Sequence, residues 1–268
     1  MLKRSFLCVY PESFSLSYRL DKVKEIIVTD TINLSKRLAT VATFLPSGAF
    51  FADIGSDHAY LPCYVCKHDK QARAIAGEVN EGPYNSACET VKAYELNNQI
   101  EVRLGDGLHV IDNEQIKQVV IAGMGGSLIA KILEEGRQYL SNVERIIAQP
   151  NIGEINVRKW FLENRFLLKE ETIVEENGHL YEILVADKGE NDLAYTDQEL
   201  NKQLFFGPLL LQEKSSAFIK KWTLQKRKQQ QIIAQIKLAT VQDNEKIKQL
   251  EREFQWIEEV LLNEKRDC

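Results

Sequence analysis

Short apolar runs that end abruptly in acid or glycine recur along the first two thirds of the chain. Residues 50–58 open the series: Phe-Phe-Ala leads into a turn carrying Asp53, Gly55, Ser56, Asp57 and His58. A second run, 72–80, ends at Glu78 and Val79, and a third, 100–107, ends in Gly105-Asp106-Gly107. A fourth, 118–126, ends in Ala122-Gly123-Met124-Gly125, and a fifth, 144–151, closes on Gln149-Pro150-Asn151. Such runs, bounded by turn residues and separated by helix-length segments, predict strand–helix units around a parallel sheet. Crossovers of one hand deliver every strand end to the same edge, and ligands of open α/β sheets bind outside that edge.

Helical spacing predicts the flanking elements. A helix over 33–45 takes Asn33 as its cap, carries Leu34, Leu38, Val41 and Leu45 on one face, and stops at Pro46-Ser47-Gly48. Helices over 82–97 and 154–164 follow, the first with Pro83 near its start, where proline is tolerated. Residues 166–175 and 179–187 alternate around Asn177-Gly178, a strong hairpin signal. After Gly207-Pro208 glycine and proline vanish, and two long helices are predicted over 212–241 and 244–264, with Asp243 and Asn244 as turn and cap. In the second, Ile247, Leu250, Phe254, Ile257 and Leu261 form a coiled-coil seam. In the first, Phe218, Trp222, Ile232, Ile236 and Ala239 share a face interrupted by Gln225 and Gln229. The two helices most simply fold back on each other in a monomer; a coiled coil between two chains is the competing arrangement.

The strand ends suggest a ligand. Glu78 lies 25 positions after Asp53, where an acid suits the two hydroxyls of a ribose. The first turn lacks the Gly-x-Gly-x-x-Gly of dinucleotide sites, and its second carboxylate would repel a pyrophosphate. A ligand bearing an ammonium and a sulfonium suits it better, which favours S-adenosylmethionine over NAD. No Walker-type phosphate loop occurs. The cofactor candidates are Asp53, Gly55, Ser56, Asp57, His58, Glu78, Val79, Gly105, Asp106, Gly107, Ala122, Gly123, Met124 and Gly125. Any one acid alone reads equally well as a turn residue or helix cap; four strand ends in series do not.

Composition adds limits. The 268 residues are 44% hydrophobic and 27% charged with net charge −5, an ordinary globular balance that does not by itself announce a nucleic-acid binder. No apolar run approaches the ~20 residues that span a bilayer, and the N-terminus makes a poor signal peptide, so no membrane role and a cytoplasmic location are expected. The five scattered cysteines argue against a disulfide framework. Cys63 and Cys66, near His68, lack the second ligand pair of a zinc site and are expected to be buried, with no metal bound. Charge is distributed unevenly. Between Lys214 and Gln242 stand seven basic residues and no acid, an electrostatic footprint for a phosphate backbone. Lys220, Lys221, Lys226, Arg227 and Lys228 are the RNA candidates from that stretch.

Taken together, Asp-Ile-Gly-Ser-Asp-His-Ala-Tyr-Leu-Pro at 53–62, Gly-Glu-Val-Asn-Glu-Gly-Pro-Tyr at 77–84, Ala-Gly-Met-Gly-Gly at 122–126 and Gln-Pro-Asn at 149–151 resemble the bacterial tRNA (adenine-22-N1)-methyltransferases. The resemblance implies an α/β, Rossmann-like class I methyltransferase domain over 32–190. It also implies a C-terminal α-helical coiled-coil domain over 195–265 that binds tRNA. The methyl donor would be S-adenosylmethionine and the acceptor N1 of adenine 22. Residues 1–31 would be an extension, expected to be dispensable. N1 carries its own lone pair, so the protein's task is positioning and charge stabilisation; Asp57, His58 and Asn151 are the catalytic candidates, with Arg37 and Tyr60 toward the RNA. The fourth strand lacks the Asn/Asp-Pro-Pro-Tyr/Phe run of exocyclic amine methylation. The rival readings are a methyltransferase for another acceptor and a non-catalytic RNA-binding or nucleoside-sensing protein of the same fold.

Overall fold

A computed structural model describes residues 32–112, 114–190, 194–238 and 243–264. The predicted extension, residues 1–31, lies outside them, as does the end of the helix predicted to reach 241. The described residues from 34 onward form one compact unit. The chain runs through α1 (Lys36–Thr43), β1 (Phe50–Ile54), α2 (Tyr60–His68), β2 (Arg73–Glu78), α3 (Glu81–Ala93), β3 (Ile100–Leu104) and β4 (Gln118–Met124). It continues through α4 (Gly126–Glu135), β5 (Arg145–Pro150), α5 (Glu154–Glu163), β6 (Phe166–Glu176) and β7 (His179–Lys188). The rest is helical: α6 (Leu200–Phe206), α7 (Pro208–Glu213), α8 (Ser216–Leu238) and α9 (Asn244–Glu264).

The strands form one sheet of order β3-β2-β1-β4-β5-β7-β6. Strands β1 to β5 are parallel, and β7 enters antiparallel between β5 and β6. The central strands are buried along almost their whole length, as a sheet covered on both faces requires. The hairpin turns at Asn177 and Gly178, both with positive φ, as a two-residue primed turn demands. Ser35, rather than Asn33, caps α1: its hydroxyl accepts the Leu38 N–H at 3.2 Å. Cys63 and Cys66 are buried as expected, and burial pushes both thiols up to about 12. Among the described residues no His, Cys, Asp and Glu cluster fit for a metal occurs, and no helix is long and apolar enough to cross a membrane.

The predicted helix 212–241 begins later than its sequence suggests. Lys214 adopts the left-handed region, α7 ends there, and Ser215 restarts the chain by accepting the Phe218 N–H. No glycine or proline marks this break. Helices α8 and α9 then pack together, with Lys226 paired to Glu258, Gln229 to Leu250 and Glu253, and Lys237 to Glu251. Partner numbers fall along α8, so the helices are antiparallel within one chain. Ile247, Leu250, Ile257 and Val260 are the buried positions of α9, whereas Phe254 and Leu261 are half-buried. Gln229, an apparent interruption of the α8 face, is buried and donates to the Leu250 carbonyl at 2.9 Å.

A buried charge network ties these helices to the sheet. Arg158 of α5 is fully buried and contacts Glu171 of β6 and Glu182 of β7. Lys221 of α8 reaches Glu182 at 2.6 Å and Glu154, the first residue of α5, at 2.5 Å. Glu171 also accepts the Leu209 N–H at 3.0 Å, which brings α7 into the same knot. Removing one partner of a buried pair leaves an uncompensated charge. Arg158→Met is therefore expected to cost about 3–5 kcal/mol, read from the urea midpoint; a loss below about 1 kcal/mol would show that the network does not hold the unit together.

Candidate active site

The carboxyl edge of the sheet divides into two unlike halves. Strands β3, β2 and β1 bring acids to one half; β4 and β5 bring glycine peptides and side-chain amides to the other.

On the acid half, Asp53 lies buried beneath the first turn, its carboxylate accepting the Ser56 hydroxyl at 2.6 Å. Gly55 continues the strand register by donating to the Gly77 carbonyl at 2.9 Å. Gly55 has positive φ, which favours glycine, and a Cβ there would stand 2.2 Å from the Met124 methyl and displace that side chain. The next residues are unusual. Asp57, His58 and Ala59 all have positive φ, and a left-handed conformation costs a non-glycine residue about 1–2 kcal/mol. That strained curl brings the Asp57 N–H to Glu78 Oε1 while leaving the Asp57 side chain 84% exposed. His58 Nε2 lies 3.5 Å from Asp57 Oδ1, and its ring stacks on Tyr60. Val79 is exposed beside Glu78, and the Gly105 N–H donates to the Glu78 carbonyl at 2.7 Å, holding the Gly105-Asp106-Gly107 turn next to it.

On the amide half, β4 carries a bulge between Ala122 and Met124. The bulge frees the Gly123 peptide, and two side chains from β5 clamp it: Gln149 Oε1 accepts the Gly123 N–H at 3.0 Å, and Asn151 Nδ2 donates to the Gly123 carbonyl at 2.8 Å. Gln149 is wholly buried and also donates to the Pro150 carbonyl. Arg37 reaches Gln149 from α1, is tied to Glu176, and lies 5.4 Å from the centre of the Tyr181 ring. Gly126 donates to the Ile152 carbonyl, and a Cβ there would lie 2.0 Å from the Gly153 carbonyl oxygen, so glycine is what lets α4 start against this turn.

The RNA candidates divide. Lys220 pairs with Glu175, Lys226 with Glu258, and Lys221 sits inside the buried network. The acids that neutralise them come from other elements, which a count along α8 does not reveal. Arg227 and Lys228 are exposed and make no ion pair among the described residues. Gln149, by contrast, organises the edge, although the sequence offered only its place in the Gln-Pro-Asn run.

The donor set fits a cationic nucleoside. Asp53, Asp57, Glu78 and Asp106 have no lysine or arginine partner among the described residues, so the acid half carries uncompensated negative charge. Burial pushes Asp53 up to about 7; the Ser56 hydrogen bond opposes this, and the Glu78 and Asp57 charges add to it. Burial also raises Glu78, against the Asp57 N–H. A parallel sheet with an antiparallel strand inserted before the last, closed by this acid-and-glycine edge, defines a Rossmann-like S-adenosylmethionine-dependent methyltransferase fold.

Comparison with known proteins narrows the class. Residues 51–259 match the family model for tRNA (adenine(22)-N(1))-methyltransferase, TrmK. A Bacillus subtilis (strain 168) relative of that name is 47% identical over 232 residues, covering 86% of this chain and 98% of the relative. The crystal structure of the B. subtilis M1A22 tRNA methyltransferase TrmK superposes with a TM-score of 0.80 at 45% identity, over 86% of this chain and 100% of that one. A Streptococcus pneumoniae chain solved in complex with S-adenosyl-L-methionine gives 0.76 at 42% identity, over 85% and 100%. The chain belongs to the tRNA (adenine(22)-N(1))-methyltransferase family.

Asp53 makes the ligand-free protein sensitive to pH. In the unfolded chain this acid is ionised above about 4, whereas in the folded protein it ionises near 7. A raised carboxyl favours folding at low pH, and that contribution is lost as pH rises through about 7. Between pH 6 and 8 the loss is about 1.4 kcal/mol. Calorimetry should show Tm falling more steeply over this range in the wild type than in Asp53→Asn; parallel profiles would contradict the assignment.

Proposed function

We propose that this chain methylates N1 of adenine 22 in tRNA, with S-adenosylmethionine as donor. The observation that carries the reading is the split edge: an acid half with no lysine or arginine partner among the described residues beside an amide half whose Gly123 peptide is clamped by Gln149 and Asn151. When bound, S-adenosylmethionine supplies a methyl group made electrophilic by its sulfonium. Glu78 and Asp106 would hold its ribose and adenosine end, with Val79 against the base; Asp53 would stabilise the edge from beneath, and the Gly55-Ser56 turn and the 122–125 glycine turn would form the cradle.

The chain's own residues then position the acceptor. N1 of adenine lies on the Watson–Crick edge, so the base must leave its stack to be reached. With its Nδ2 held by the Gly123 carbonyl, Asn151 can present Oδ1 to the adenine N6 amino group and orient the edge while leaving the N1 lone pair free. The His58–Tyr60 stack offers a wall on the opposite side. Forming the N1–methyl bond moves positive charge from sulfur to the ring; the exposed Asp57 carboxylate can stabilise that charge or accept the N6 proton afterwards. Arg227 and Lys228 of the C-terminal helices would meet the phosphate backbone, with the 195–265 segment as the tRNA-binding part. The seam between α8 and α9 is filled within one chain, which supports a monomer, and a tRNA substrate supports a cytoplasmic location.

The test is methyl transfer to unmodified bacterial tRNA followed by nucleoside mass spectrometry. The expected product is 1-methyladenosine that disappears when adenine 22 is replaced. Transfer to another position, or none, refutes the assignment. Asp57→Asn should lower turnover about 10²-fold or more while leaving S-adenosylmethionine affinity largely unchanged. Loss of cofactor binding in parallel would make Asp57 a binding residue instead.

A further inference from the structure

A cleft of ≈420 Å³ opens directly beside the acceptor half of the edge. It starts at Asn151 and Ile152, passes the hairpin residues His179 and Tyr181, and ends against Trp222 and Lys228 of α8. Its size falls within the ~300–1,000 Å³ of small-molecule and cofactor sites. From its position, its lining and its charge, we propose that this cleft binds one unpaired nucleotide of the tRNA strand, the neighbour of the methylated adenine, with its base against His179 and its phosphate on Lys228. The proposal rests on the tRNA reading and assigns part of that substrate to a site outside the methyl-transfer edge.

Four observations carry it. First, the cleft is continuous with Asn151, the candidate contact to the target base, so a strand whose base reaches the edge can lay its neighbouring nucleotide there. Ile152 forms the lip between the two and is 74% exposed. Its backbone is fixed: its carbonyl accepts the Gly126 N–H at 2.8 Å, and the Asn151 N–H beside it donates to the Met124 carbonyl at 2.7 Å. A β-branched side chain on a fixed turn is a stiff apolar edge, suited to separating one base from the next.

Second, the wall offers ring surface. His179 and Tyr181 lie with centroids 6.0 Å apart. The Tyr181 ring is backed by Arg37, which leaves the exposed His179 as the free face. Stacking on such a surface accepts any base. Third, the charge suits a phosphate. Glu154 is the acid of the lining and shares Lys221 with the buried Glu182, whereas Lys228 is exposed and unpaired among the described residues. Lys228 is therefore the cation of the lining left free for a phosphate, on a chain of net charge −5. Fourth, the apolar part of the wall comes from the buried Trp222 and from Leu224, an exposed apolar residue of the lining.

The probe is tRNA made abasic at nucleotide 21 or nucleotide 23. The wild-type enzyme should lose about tenfold in kcat/KM on one of the two. His179→Ala should lose about the same factor on intact tRNA and nothing further on that abasic tRNA, because both changes remove one interaction. Lys228→Gln should reduce the slope of log affinity against log salt by about 1. Cofactor affinity should be the same in all three proteins. Indifference of the wild type to both abasic tRNAs, or losses that multiply to about 100-fold in the combination, overturns the proposal. If the wild type fails to methylate intact tRNA, the tRNA reading itself is what has failed.

Discussion

The arrangement of this molecule depends on a knot of five charged residues, of which Arg158, Glu171 and Glu182 are buried. Arg158 and Lys221 face Glu154, Glu171 and Glu182, and the five residues come from α5, β6, β7 and α8. Burying charge is costly unless every member is paired, so the network tolerates few geometries. That intolerance has a functional consequence. Glu154 directly follows the 149–153 turn that holds the acceptor half of the edge, and Lys221 fixes α8 against it. The helix proposed to meet RNA is thereby held in register with the side chains proposed to meet the target base.

The edge itself works by contrast. On one side, acids stand without a lysine or arginine partner among the described residues, and strain holds Asp57, His58 and Ala59 in the left-handed region. On the other, amide groups satisfy one another around a single bulged peptide. The first is an environment for positive charge; the second is a rigid template with few free donors. A methyl transfer from a cationic donor to a neutral ring nitrogen needs both, since charge moves from the first toward the second as the bond forms. Glycine at 55 supplies the left-handed turn of the first half, and glycine at 126 lets α4 start against the Gly153 carbonyl of the second.

Much of this was legible in the sequence because it is local. Each strand announces its end with acid or glycine within a few residues, and Asn177-Gly178 fixes the hairpin. The cofactor candidates accordingly fall along the acid half and the β4 turn. What the sequence hid is long-range. Lys220, Lys221 and Lys226 look like free cations because no acid lies near them in the chain. Their partners Glu175, Glu182 and Glu258 come from β6, β7 and α9. Gln149 looks incidental until the β4 bulge brings Gly123 to it. The break at Lys214 carries no glycine or proline, because a lysine takes the left-handed conformation there. Gln229 likewise reads as a flaw in an apolar face, until its amide is found bonded to the Leu250 carbonyl.

The account stands on one spatial claim: catalytic edge and basic helix form a single rigid surface that takes one tRNA strand across both. A crystal structure of the protein with S-adenosylhomocysteine and substrate tRNA tests this most directly. The account predicts adenine 22 turned out of its stack above the ends of β4 and β5, beside Asn151. The adjoining strand should run toward Lys228, with Lys221 still paired to Glu154 and Glu182. A tRNA bound through the opposite face of the sheet, or an α8 released from that network, would contradict it.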